Sequence, residues 1–90
     1  MKIQETNEDG AGALALGALG WTLAEPARAE RLLALTGLTP EDLRKGLGEP
    51  AVLAAILRYL EAHEPDLIAC AEELGTSPVA LVEARRTLER

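Results

Sequence analysis

Five prolines constrain this chain more than anything else in it, because each stands where a helix could begin. Proline lacks the N–H that a helix interior needs, and its ring crowds the preceding turn. At the first helical position that N–H would be unsatisfied anyway. Pro26, Pro40, Pro50, Pro65 and Pro78 therefore mark five entries. Gly37 and Gly75 follow leucine-rich runs, as left-handed stop residues do, and Gly46 and Gly48 close the short segment after Pro40. Phe is absent, β-branched residues are sparse, and Leu and Ala abound, so the intervening segments prefer helix. Six helices are expected, over residues 9 to 24, 26 to 36, 40 to 47, 50 to 63, 65 to 74 and 78 to 88. The expected fold class is all-α: a compact orthogonal bundle of five to six short helices containing two helix-turn-helix hairpins. Residues 1 to 8 are expected as a disordered tail and 9 to 90 as a single helical domain, since 90 residues supply one core only.

Residues three and four apart share a helix face, which assigns the core. Val52, Leu53, Ile56, Leu57 and Leu60 form the strongest stripe. Ala29, Leu32 and Leu35 do the same for the second helix, and Leu43 with Leu47 for the third. Leu67, Cys70, Ala71 and Leu74 serve the fifth, and Leu81, Ala84 and Leu88 the sixth. Arg28, Arg31, Arg58, Glu61, Glu72 and Glu73 fall mostly outside these stripes and read as solvated. The order Glu-Pro, glycine stop, hydroxyl residue, proline and leucine occurs twice, from Glu25 to Leu43 and from Glu64 to Leu81. Each copy has the parts of a helix-turn-helix unit with a hydroxyl N-cap.

The segment before the first proline, GAGALALGALGWTLA at residues 10 to 24, has no charge and four glycines. As a helix it would span about 22 Å, short of the roughly 30 Å hydrocarbon core, so a membrane anchor is not expected. A leader would place positive charge ahead of the apolar run, whereas Glu5, Glu8 and Asp9 outnumber Lys2. In helical projection Leu16, Leu19 and Leu23 make one ridge and Leu14 with Trp21 another, with Ala13, Gly17, Gly20 and Ala24 between them. Ala11, Ala15, Ala18 and Thr22 occupy the remaining side, also uncharged. Gly17 and Gly20 weaken the helix and so call for a close approach by another backbone. Two readings stand: a helix buried at the centre of the monomer, or one partly turned to a second chain. The candidate interaction surface is Leu14, Ala15, Ala18, Trp21 and Thr22.

A net charge of −6 disfavours duplex nucleic acid and anionic membranes, whose binding draws on Lys and Arg. The acidic concentration lies between residues 61 and 73, and Glu61, Glu64, Asp66, Glu72 and Glu73 read as a solvated patch. One cysteine, Cys70, and one histidine, His63, allow neither an internal disulfide nor a structural zinc, so a reducing cytoplasmic location is expected. His63 is placed to bond a free carbonyl at the end of the fourth helix. Cys70 lies on an apolar stripe among acidic neighbours that would raise its pKa, which is unfavourable for a nucleophile. No catalytic residue, cofactor or metal is expected, and the chain does not read as an enzyme.

Residues 71 to 88, AEELGTSPVALVEARRTL, resemble the helix-turn-helix of DNA-binding repressors through Ala71, Leu74, Gly75, Leu81 and Ala84, and depart from it at Thr76. The recognition face would present Ser77, Pro78, Val79, Val82, Glu83 and Arg86, of which only Arg86 suits base readout. An accessory DNA-binding role would use Arg85, Arg86 and Arg90. The stretch from Gly20 to Leu60 also resembles domain of unknown function 3572, a family of small alphaproteobacterial helical proteins. The carrying residues are Ala24 to Pro26, LLALTGL at 32 to 38, Pro40, Leu43, Arg44 and the apolar run 53 to 60, with the hairpin 75 to 81 following. The resemblance implies a small helical cytoplasmic protein and no catalytic residue. The leading expectation is a non-enzymatic domain acting by protein interaction or self-association, with DNA binding through residues 71 to 90 as the alternative.

Overall fold

The computed structural model describes residues 7–90, with side chains from Gly10 onward. Most of the expected tail, residues 1 to 6, lies outside the described residues. Six helices follow: α1 (Asn7–Leu23), α2 (Pro26–Thr36), α3 (Pro40–Lys45), α4 (Pro50–Glu61), α5 (Glu64–Glu73) and α6 (Pro78–Leu88). There is no strand among the described residues, and the fold is all-α.

Every expected entry is used. Pro26, Pro40, Pro50 and Pro78 are first residues of their helices, and Pro65 is the second residue of α5. Thr39 caps α3 reciprocally: Asp42 N–H donates to Thr39 Oγ1 at 3.0 Å and Thr39 N–H donates to Asp42 Oδ2 at 2.9 Å. Ser77 Oγ accepts from Ala80 N–H at 3.1 Å at the start of α6. Gly37 and Gly75 have φ of 77° and 71°, a region that any side chain would strain. Gly37 N–H donates to the Leu33 carbonyl at 3.0 Å, and Thr76 N–H, just past Gly75, reaches back to the Ala71 carbonyl at 2.9 Å.

α1, α4 and α6 make the centre, with α1 lying most extensively against α6 and also touching α2, α4 and α5. α3 is peripheral. Leu53, Ile56, Leu57 and Leu60 of α4 are buried as expected, Val52 is half-buried, and Ala54 and Tyr59 join them. Leu32, Leu43, Leu67, Cys70, Ala71, Leu81, Ala84 and Leu88 complete the predicted core. Two leucines expected there are outside it. Leu35 is 60% exposed, because α2 lies chiefly against α1 and α4 and its covered line is centred on Leu32. Leu47 is 43% exposed because α3 ends at Lys45, two residues before it.

Candidate interaction surface

From Gly10 onward α1 is apolar on every side, so the periodicity of that stretch cannot say which side faces in. The side that does is Ala11, Ala15, Ala18, Leu19 and Thr22, all buried, with Ala15, Ala18 and Thr22 fully so. This corrects the expected surface: Ala15, Ala18 and Thr22 face the rest of this chain. Side chains of one carbon let a helix lie close to several neighbours at once, which a line of leucines would prevent. Thr22 tolerates its position because its hydroxyl donates to the Ala18 carbonyl at 2.8 Å. Leu14 and Trp21 are half-buried at the flank. The Trp21 ring is covered by the Arg28 guanidinium, 3.7 Å from its centroid. That guanidinium also donates to the Trp21 carbonyl and, at 3.0 Å, to Glu25.

The outward side takes Leu16 and Leu23 from the first ridge and Ala13, Gly20 and Ala24 from the strip beside it, all exposed, whereas Leu19 of that ridge is buried. Leu16 and Leu23 are 43% and 42% accessible, unusual for leucines on a central helix. Leu16 forms one lip of a groove of about 490 Å³ whose other walls include Leu47, Leu53, Leu88 and Arg90. At Gly17 the close neighbour is a side chain and not the expected backbone, since a Cβ there would lie 3.2 Å from Leu74 Cδ2. At Gly20 a Cβ would meet nothing within 4 Å. The sequence signal for this surface is the absence of charge from Gly10 to Ala24, but it marks every side of that stretch rather than one.

The arginines proposed for nucleic acid are not brought together as free cations. Arg85 grips Glu61 with two bonds of 2.7 and 3.1 Å and Glu89 with a third of 2.9 Å. These carboxylates hold its pKa above the ordinary arginine value, chiefly through the bonds to Glu61 and then Glu89. Glu89 in turn accepts from Arg58 Nε at 2.6 Å, and the bonds from Arg58 and Arg85 lower its pKa. Arg86 pairs with Glu83 at 3.3 Å, while Arg90 is exposed at the groove rim. Glu61, read as solvated, is thus a cross-helix partner, and Arg31 is another, bonded to Asp66 at 3.0 Å.

The reactive side chains are placed structurally. His63 Nδ1 is 3.0 Å from the Tyr59 carbonyl near the end of α4. Its ring lies 4.7 Å from that of Tyr59. Cys70 is fully buried, and burial, more than the acidic neighbours expected to act, pushes its thiol up to about 11. Among the described residues, no three His, Cys, Asp or Glu side chains gather as a metal site would require. No described helix is long and apolar enough to cross a membrane.

No curated protein and no solved structure matches the chain. A family model does, over residues 8–90, which takes in all but the first residue of α1 and every later helix. Its description is protein of unknown function, DUF3572, and the chain belongs to that family.

Proposed function

We propose that this domain is non-enzymatic and acts by protein interaction through the outward side of α1. One observation carries the reading: the central helix of the fold leaves Leu16 and Leu23 more than two-fifths exposed on a side with no charged residue from Gly10 to Ala24. A helical stretch apolar all round is ordinarily covered all round, and from Gly10 to Leu23 the described residues cover one side. The commitment of Arg85 to Glu61 and Glu89 weighs against the DNA-binding alternative, as does the exposure of Glu72 and Glu73 on the preceding helix. A photo-crosslinking residue placed at Leu16, and separately at Val79, which is 69% exposed on α6, tests the proposal in cells. Discrete protein adducts are expected from position 16 and not from 79. Equal labelling at both, or none at 16, would overturn it.

A further inference from the structure

We infer that the last turn of α6, from Arg86 to Glu89, is a strap latched by Glu89, and that its release opens the groove beside Leu16. The inference rests on the proposal that this side of α1 is an interaction face, and adds a control on access to it.

Charge ties α6 to α4 at two levels. Arg85, its side chain 16% exposed, donates to both oxygens of Glu61 at 2.7 and 3.1 Å, which anchors α6 to the end of α4. One turn further on, Glu89 accepts from Arg58 Nε at 2.6 Å with one oxygen and from Arg85 Nη1 at 2.9 Å with the other. Arg58 is 62% exposed, so the bond that ties Glu89 to α4 stands in water and is weaker than the anchor.

Beyond the anchor little else holds the helix down. Leu88 is the one buried apolar side chain past Arg85, Thr87 is half-buried, and Arg86, Glu89 and Arg90 are exposed. Leu88 also borders two grooves. With Leu53, Thr87 and Arg90 it walls the groove of about 490 Å³ that Leu16 lines. With Ala54, Arg58 and Glu89 it walls a second of about 450 Å³. The partition between them is a single helical turn with one apolar side chain and one charged latch. Lifting that turn joins the grooves and uncovers Leu53 and Ala54, both buried while it is closed. A helix end held by so few contacts belongs to the low-stability part of a fold and opens without the rest unfolding. The closed state dominates, and a partner that takes Leu53 as well as Leu16 draws on the minor open one.

Glu89→Gln removes the charge and keeps the size of the side chain. In the purified variant, amide hydrogen exchange at residues 86 to 90 should be about two- to fivefold faster than in wild type, with α1, α4 and the urea midpoint unchanged. Arg58→Gln should act in the same direction, and the double variant should exceed Glu89→Gln by nothing, since the two residues share one bond. Salt at about 1 M should speed exchange of this turn in wild type and not in Glu89→Gln. For the groove, a cysteine at Leu53 or at Ala54 reports opening through its rate of labelling by iodoacetamide, with fully buried Cys70 as the internal reference. Adding Glu89→Gln should speed that labelling by the same factor. Unchanged exchange at residues 86 to 90 would overturn the latch, and faster exchange without faster labelling would overturn the opening of the groove. The photo-crosslink from Leu16 keeps the two proposals apart. Its adducts should increase in the Glu89→Gln background. Equal adducts in the two backgrounds would remove the control and leave the interaction face standing, and no adduct in either would overturn both.

Discussion

Replacing alanine by leucine at two positions of α1, Ala18 and Ala13, separates the side that faces the core from the side that does not. Ala18 has no accessible surface and is flanked on its face by Ala15 and Thr22, also at zero, whereas Ala13 is exposed. Leucine adds three carbons. Were there room, their burial would contribute about 0.8 kcal/mol each. With the site closed by neighbouring helices, the added volume must displace them, and overpacking of this kind costs about 1–3 kcal/mol net. For a domain of this size about 2 kcal/mol lowers Tm by roughly 10 °C. At Ala13 the same change should stay within about 0.5 kcal/mol. Alanine and leucine are both strong helix formers, so the difference between the variants isolates packing from propensity. Urea and thermal unfolding followed by circular dichroism at low micromolar chain, where association does not contribute, would measure both. Equal losses at the two positions, or a neutral Ala18→Leu, would refute the assignment of the inward face.

Glycines give a second matched pair. A Cβ at Gly46 would sit 2.6 Å from Val52 Cγ2 and 2.9 Å from the Asp42 carbonyl oxygen, so Gly46→Ala should cost about 1–3 kcal/mol in chemical unfolding. Gly20→Ala meets nothing within 4 Å and should instead stabilise the dilute monomer by about 0.5–1 kcal/mol, shown by a higher urea midpoint. The third expectation concerns pH. Burial raises Cys70 from 9.0 to about 11 and holds Tyr59 above its ordinary 10.0. The unfolded chain therefore releases these protons first, and stability, constant with respect to these groups below about pH 9, should fall as pH rises beyond it. Urea midpoints measured across that range should fall less steeply for Cys70→Ala than for wild type, and parallel slopes would count against the thiol.

Where the later helices begin, and where α2 and α5 stop, was legible because those decisions are local. Pro26, Pro40, Pro50 and Pro78 open helices through a missing N–H, and Thr39 and Ser77 cap through one hydroxyl each. Gly37 and Gly75 stop helices through a φ that other residues resist. None of this depends on a distant residue. The stripe Leu53, Ile56, Leu57 and Leu60 was legible for a related reason: exposed Arg58 and the half-buried Glu61 stand off that face, so the pattern has a direction. The pairing of Arg85 was not legible because its partner, Glu61, is 24 residues away, and only the meeting of α4 with α6 brings them together.

α1 shows the division most clearly. The residues from Gly10 to Ala24 determined by themselves a helix without charge, too short to span a bilayer and apolar on every side. Which side turned inward was decided by tertiary structure, since α2, α4, α5 and α6 all reach this helix and the limit on their approach is side-chain size. The small residues Ala11, Ala15, Ala18 and Thr22 went in with the single leucine Leu19, and Leu16 and Leu23 were left at the surface, because a hydrophobic pattern ranks side chains by affinity for water and not by the space their neighbours leave them.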